Sequence, residues 1–311
     1  MTVPVISFAI PYYDNPAYLL EAVESVREQT VTDWELVVVD DAGPAPAGEA
    51  VDALGDPRVS YVRNARNLGL AGNWNECIRR SRAPLVTVLH ADDRLLPTYA
   101  ERVLEAARLR PQAAAVFTDV NIIGSDGQPT VTVADLAKRV VRRPSFDHDV
   151  VGDAGMAGLL AGNYILCPTL CIRPAVVGED PFDPRWRFVP DLDFTIRQLL
   201  AGRSLRAIRE PLLEYRRHTG SQTSSLTSDS SRFEEELAFS AQMAEAARAK
   251  GWSRSARAGR RRVMARVHLA LRLTLDVVGR RFGAAQQKGR ILWGDLRHGQ
   301  RVGPHDADPQ Q

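Results

Sequence analysis

The sequence predicts an α/β protein: an open, mixed but mostly parallel sheet flanked by helices, with a C-terminal helical extension. Three observations carry this. From Val3 to Thr118, short runs rich in Val, Ile and Leu alternate with stretches of helical periodicity, and the connections are short. The apolar runs end in polar clusters, at Pro11–Asp14, Asp40-Asp41, Arg66–Gly69 and Asp92-Asp93. In such sheets ligands bind beyond the carboxyl ends of the strands, so these clusters should converge on one edge. After Arg232 the composition changes to long helical stretches dense in arginine.

The elements follow in order. Val3–Ile10 reads as a strand and Tyr18–Gln29 as a helix with Leu19, Val23 and Val26 on one face. Trp34–Val39, Val59–Val62, Leu85–His90 and Ala113–Thr118 are further strands. Glu49–Leu54, Ala71–Ser81 and Tyr99–Leu109 are the helices between them. Beyond Thr118, Asn121–Val133 reads as a hairpin around Ser125-Asp126-Gly127. Leu136–Val151 reads as a loop over the site, Asp153–Ala161 as a short helix and Ile165–Ile172 as a strand. Asp191–Ala201 is helical and stopped by Gly202; Leu205–Ile208 and Leu212–Tyr215 are short strands; Thr219–Ser231 is a Ser/Thr-rich linker. Phe233–Lys250 and Ala256–Arg281 are expected as two helices, and residues 301–311 as a disordered tail.

A chain of 311 residues accommodates one large domain with additions, or two smaller ones. The net charge of +2 gives no reason to expect a nucleic-acid partner. Three cysteines, Cys77, Cys167 and Cys171, make an odd and small set, which points to a reducing compartment rather than a disulfide framework. The start of the chain lacks the pattern of a signal peptide, and no uncharged apolar stretch reaches the roughly 18 residues of a membrane span. The expectation is a cytoplasmic protein. The second C-terminal stretch carries Val267, Leu271, Leu275 and Val278 at helical spacing among many arginines. Such a helix is expected to pack on the main domain with a solvated basic face. The same pattern also suits peripheral contact with the anionic inner face of a membrane.

The chemistry concentrates at Leu85–Pro97, where a buried strand opens into His90-Ala91-Asp92-Asp93. Adjacent carboxylates repel one another unless a cation or hydrogen-bond donors compensate. A divalent metal with oxygen ligands, Mn²⁺ or Mg²⁺, is one explanation, and a polar loop with a helix cap is the other.

The ordered set Val5–Asp14, Glu35–Gly43, Arg66–Asn75, Leu85–Pro97, Asp191–Gly202 and Tyr215–Ser224 resembles the signature of family 2 glycosyltransferases. The resemblance covers residues 3 to 224. It implies a GT-A (Rossmann-like) fold, a nucleoside-diphosphate sugar as donor, a divalent metal (Mn²⁺ or Mg²⁺) and inversion at the transferred sugar. It divides the chain into a nucleotide-sugar-binding half, 1–120, an acceptor half with the catalytic base, 121–225, and the helical extension, 226–300. Pro11, Tyr13 and Asp14 match the family's strand end against the nucleotide base. Asp40 resembles the acid that accepts a base N–H, which suits uracil first and thymine next, and Asp41 its partner toward ribose or the loop. Arg66, Asn67, Gly69 and Asn73 match an Arg-Asn-x-Gly…Asn motif beside the phosphates, with Gly69 permitting close backbone approach. His90-Ala91-Asp92-Asp93 stands where the family has Asp-x-Asp-Asp, with Asp93 for metal, Asp92 for ribose or metal, and His90 replacing the first acid. Asp191 matches the general base, with Pro190 where the family has Glu. Tyr215-Arg216-Arg217-His218 resembles Tyr-Arg-x-His, which gives Arg217 to the diphosphate and His218 to the metal.

The resemblance leaves the acceptor open among polysaccharide, lipid carrier, protein and natural product. A nucleotidyltransferase acting on a sugar phosphate and a non-catalytic nucleotide-sugar binder are the competing functions. The first is disfavoured because Pro11–Asn15 lacks a Gly-rich, basic phosphate cradle. A phospho-receiver module, suggested by Val37–Gly43, would leave Arg66, Asp92-Asp93 and Asp191 unexplained.

Overall fold

A computed structural model describes residues 3–130, 144–218 and 230–298. The chain divides into two compact units, Met1–Gly152 with Tyr164–His218, and Asp153–Asn163 with Thr219–Gln311.

The first unit is built on one sheet. Its strands are β1 (Ile6–Tyr12), β2 (Trp34–Asp40), β3 (Val59–Arg63), β4 (Val86–Val88), β5 (Arg94–Leu95), β6 (Ala115–Ile123), β7 (His148–Val150), β8 (Cys171–Ile172) and β9 (Leu205–Arg216). The order is β3-β2-β1-β4-β8-β6-β9-β5, with β7 on β9. β3, β2, β1 and β4 are mutually parallel, whereas β8 runs antiparallel to both β4 and β6. The helices are α1 (Pro16–Arg27), α2 (Gly48–Asp52), α3 (Gly69–Arg80) and α4 (Tyr99–Leu109); α6 (Pro174–Val177) and α7 (Pro190–Leu200) come later. Every residue of β2, and all of β1 but Pro11, is buried, as expected of parallel strands covered on both faces. Ile6, Phe8, Ile10, Leu36, Val38, Leu19, Val23 and Val26 join one core cluster. Each such side chain contributes about 1.5–3 kcal/mol relative to exposure. Asn15 starts α1 by accepting the Tyr18 amide at 3.2 Å, and Pro16 at the first helical position has no amide to leave unpaired.

The expected elements up to Thr118 are all present, with Tyr99–Leu109 at the expected bounds. Later elements differ. Ile165–Ile172 is not one strand: Pro168 leads the chain through a 3₁₀ turn at Cys167–Thr169, leaving only Cys171–Ile172 paired. The two strands expected at Leu205–Ile208 and Leu212–Tyr215 are one, with a register shift where β6 pairs with it near Pro211. Within the stretch expected as a loop, His148–Val150 is a strand on β9, and residues 131–143 lie outside the described residues. Of the hairpin expected at Asn121–Val133, β6 and the turn to the bridge Ile123–Pro129 are described. The linker residues 219–229 and the tail expected at 301–311 lie outside the described residues.

The second unit is helical: α5 (Gly152–Ala161), α8 (Ser231–Ala249), α9 (Ser253–Arg261), α10 (Val263–Val278) and α11 (Phe282–His298). The single helix expected at Ala256–Arg281 is two, and a third follows. Arg262 and Arg280 take left-handed φ of 46° and 56°, which breaks the ladder on either side of α10. Phe233, Leu237 and Leu269 form the core here, with Ala265, Ile291 and Leu292 against them. Asp153 caps α9 by accepting the Arg254 and Ser255 amides at 3.0 and 2.7 Å.

Candidate active site

Two groups of polar side chains gather at the strand ends. The first is organised by Asp40 and Asp41 at the end of β2. Asp40 is fully buried and accepts the Gly43 amide at 2.9 Å, the Tyr61 hydroxyl and the Arg63 guanidinium. Asp41 accepts the amides of Leu68 and Gly69, at 2.8 and 3.0 Å, and the Asn64 side chain at 3.0 Å. A residue 27 positions away in sequence thus shapes the turn into α3. Asn73 continues the group, accepting from Asn64 and donating to the Val39 carbonyl, both at 3.0 Å. Gly69 sits here for its φ of 73°, since a Cβ would meet nothing within 4 Å; close approach to another backbone is not its reason. Close approach applies instead to Gly43, where a Cβ would lie 1.5 Å from the Tyr13 carbonyl oxygen. Pro11 is half-buried, while Tyr13, Asp14, Arg66 and Asn67 are exposed around this group.

The second group is His90, Asp92 and Asp93, after β4. One ligand atom from each lies within 4.8 Å of the others. Asp93 is buried; one carboxylate oxygen accepts the Arg216 amide at 2.8 Å and the other has no hydrogen-bond partner among the described residues. The His90 Nε2 atom is likewise buried and unpartnered. Its ring stacks on Trp74, with centroids 5.3 Å apart. Burial, followed by the charge of Asp92, pushes the Asp93 carboxyl well above its ordinary range, while burial pulls His90 down. Asp92 differs. Burial opposes its ionisation, but a 2.8 Å bond from His218 and the nearby positive charges bring its pKa below the usual value. Two buried, unpartnered donor atoms beside a second carboxylate fit a divalent cation bound through two oxygens and an imidazole nitrogen.

Arg216 ties this group to the sheet. Almost wholly buried at the end of β9, it donates to the Asp92 carbonyl at 2.8 Å, to the Ser125 carbonyl at 3.3 Å and to Glu21. Its guanidinium lies 4.4 Å from the centroid of the Tyr18 ring. Arg217 stacks on Tyr215 at 4.7 Å, and the His218 ring meets Tyr18 edge-on at 5.5 Å.

Asp191 lies in the first turn of α7, where its carboxylate accepts the Leu192 amide at 2.8 Å; Val189, not Asp191, is the cap. Its neighbour Asp193 is committed to Arg197 at 2.7 Å. The charges of Asp191 and Asp93 both act on Tyr215 and on Cys167. Burial and the charge of Asp93 raise the Tyr215 hydroxyl well above its ordinary value, Arg217 opposes this, and Asp92 and Asp191 add to it. The thiol of Cys167 is raised by burial, then by Asp191 and Asp93.

Sequence reasoning named Asp40, Asp41, Asp92, Asp93, Asp191, Arg217 and His218 but missed the supports. Tyr61 and Arg63 hold Asp40, Asn64 holds Asp41, and Glu21 holds Arg216. Asn75 was visible only as part of a motif, yet it pins the Phe182 backbone in both directions, at 2.8 and 3.0 Å. None of these pairings has a local sequence signal.

The architecture defines an α/β protein of GT-A type. It superposes on Staphylococcus aureus TarS residues 1–349, solved in complex with UDP-GlcNAc, with a TM-score of 0.60 at 15% identity over 96% of this chain and 93% of that one. Residues 7–156 match the family model described as glycosyl transferase family 2. The chain is 26% identical over 221 residues to glycosyltransferase GlyG of Streptococcus pneumoniae, covering 70% of this chain and 72% of the relative. It is also 37% identical over 94 residues to an uncharacterized protein of Mycobacterium tuberculosis. In the first two curated relatives the match spans 30% and 14% of the relative's length. The match to the family 2 glycosyl transferase model is confined to the first part of the chain, residues 7–156.

Proposed function

We propose that the protein is a metal-dependent, inverting glycosyltransferase that moves a sugar from a nucleoside diphosphate, UDP before dTDP, to a hydroxyl acceptor. The observation that carries this reading is the pair of unpartnered buried atoms on His90 and Asp93, with the charges of Asp93 and Asp191 both acting on Tyr215 and on Cys167. The UDP-GlcNAc in the TarS structure supports UDP as the nucleotide.

His90, Asp92 and Asp93 would hold Mn²⁺ or Mg²⁺, with His218 oriented through Asp92. A bound divalent cation supplies charge neutralisation to the departing diphosphate. Asp40 would order the base side from beneath, through Tyr61, Arg63 and the Gly43 amide, and Asp41 would fix the Leu68–Gly69 turn near the ribose and phosphates. Pro11, Tyr13 and Asp14 border the base, Arg66, Asn67 and Asn73 the phosphates, and Arg217 adds positive charge to the diphosphate side. Asp191 is the general base. Its carboxylate takes the proton of the acceptor hydroxyl as that oxygen bonds to the anomeric carbon. The bond from that carbon to the diphosphate oxygen breaks, its electron pair leaves with the nucleoside diphosphate, and configuration inverts. A reducing, cytoplasmic setting is supported by three cysteines that are all free and buried.

The test is calorimetric titration of UDP and UDP-sugars with Mn²⁺ and with EDTA, followed by assay of sugar transfer or donor hydrolysis. UDP should bind with Mn²⁺ and weaken at least tenfold in EDTA. Asp191→Asn should keep donor binding and lower turnover by about 10²–10⁴-fold. Unchanged turnover would remove Asp191 as the base, and indifference to metal and to every nucleotide would overturn the whole reading.

A further inference from the structure

The helical unit buries one face of α10 and leaves another uncovered. Leu269 is completely buried with Phe233 and Leu237. Val263, Val267, Leu271, Leu275 and Val278 follow at intervals of three or four residues and are 43–76% exposed. Phe282, Trp293 and Leu296 on α11 are also exposed. Val267, Leu271, Leu275 and Val278 are not members of the core that Phe233, Leu237 and Leu269 form within this unit. An uncovered apolar stripe of this extent marks an interaction surface.

The charge around the stripe selects its partner. α9 exposes Arg257, Arg260 and Arg261; Arg280, Arg290 and Arg297 are exposed on and around α11. From Gly251 to His298 the sequence holds two acids, Asp276 and Asp295. Both are buried and held by cations. Asp276 meets Arg281 at 2.7 Å and Lys288 at 3.0 Å; Asp295 meets Arg266 at 2.7 Å and also Arg262. The surface of α9, α10 and α11 therefore offers arginine and aliphatic side chains with no exposed carboxylate among the described residues. A second copy of the chain would bring the same positive charge and be repelled. A nucleic acid would satisfy the arginines but leave the Val/Leu stripe in water. A surface that is anionic outside and apolar just beneath satisfies both.

We propose that α9–α11 dock on an anionic lipid surface, with Val263, Val267, Leu271, Leu275 and Val278 entering the boundary between headgroups and acyl chains, and the arginines held at the phosphate level. Trp293, with Arg297 stacked 4.5 Å over its ring, has the amphipathic character favoured at that depth. The inference concerns binding alone and does not depend on the transfer reaction.

The experiment is co-sedimentation of the full chain with vesicles of phosphatidylcholine alone or with about one-third phosphatidylglycerol, at low and high salt. The protein should partition at least tenfold more strongly into the anionic vesicles, and high salt should release most of it. Each arginine removed should weaken partition by about fivefold. Leu271→Glu with Leu275→Glu should weaken it at least tenfold, with circular dichroism unchanged because both side chains are exposed in the native fold. Arg260→Glu with Arg261→Glu leaves the stripe intact and should act independently of any effect of the first pair on folding. The proposal is overturned by failure to sediment, by equal binding to neutral vesicles, or by undiminished binding of both pairs. Concentration-dependent dimers in sedimentation velocity, without vesicle binding, would assign the stripe to a second copy and overturn it too.

Discussion

Both units bury carboxylates, and the acid pair at the site is treated unlike the acids of the helical unit. In the helical unit, Asp276 and Asp295 are each ion-paired with two cations of the same unit, although Asp276 Oδ2, 3.0 Å from the Lys288 ammonium, makes no hydrogen bond. At the site in the sheet unit, the buried Asp93 and the half-buried Asp92 sit side by side with an Arg216 amide, a His218 ring and a half-buried His90 whose Nε2 has no hydrogen-bond partner among the described residues. A buried acid closed by its own cations is a structural device, because nothing external is needed to complete it. A buried acid left with an open oxygen carries a cost in the unliganded protein that a bound cation can remove. The difference separates a locked scaffold from a site more sharply than burial or charge alone.

Asp93→Asn tests this most strongly. It should abolish Mn²⁺-stimulated nucleotide binding while leaving the thermal midpoint of the metal-free protein unchanged or higher. The folded-state pKa of Asp93 is raised, so at neutral pH its ionised form opposes folding, and an amide relieves that. Calorimetry with and without Mn²⁺ and a thermal melt in EDTA give the two readings; a strongly lowered midpoint would mean that Asp93 is structural like its counterparts. Asp295→Ala is the converse. It leaves Arg262, 3% exposed, without its buried partner, and should cost about 3–5 kcal/mol. Hydrogen exchange resolved along the chain should show lost protection in α10 and α11 and none in β1 or β2. Uniform loss, or none, would erase the contrast.

What the sequence made legible follows the same division. The strand-end clusters were readable because parallel strands are written as apolar runs and the polar residues after them stand out, as at Val37–Asp41 and Leu85–Asp93. The role of Asp41 was not readable as a hold on the Leu68 and Gly69 amides, because that depends on β2 and the α3 turn meeting across 27 positions. Arg216 reaches Glu21 across 195 positions, beyond any local pattern. In the helical unit the helices were readable from composition but their breaks were not. Arginine carries no turn signal, yet Arg262 adopts the left-handed conformation, its backbone offset by the buried pair with Asp295. His90 was read as a missing carboxylate, and only its place beside Asp93, with Nδ1 3.9 Å from the open carboxylate oxygen, makes it a candidate ligand.

The gentlest test uses pH, through a histidine of the locked unit. His268 packs edge-on against Phe233 at 5.2 Å, and burial, then Arg232 and Arg272, pull its pKa from 6.5 to about 4. The folded state therefore keeps the ring neutral where the unfolded chain would protonate it. The resulting stability is fully present above pH 6.5 and is lost as pH falls toward 4. Many carboxylates also titrate in that window, so the measurement is a difference. Wild type and His268→Gln are melted across the range, the variant having no imidazole to protonate. The midpoint of wild type relative to the variant should fall by a few degrees between pH 6.5 and 4, with most of the fall below pH 6. A constant difference would mean that His268 takes up its proton without loosening the helices, so that the helical unit is less tightly closed to charge than its paired aspartates indicate.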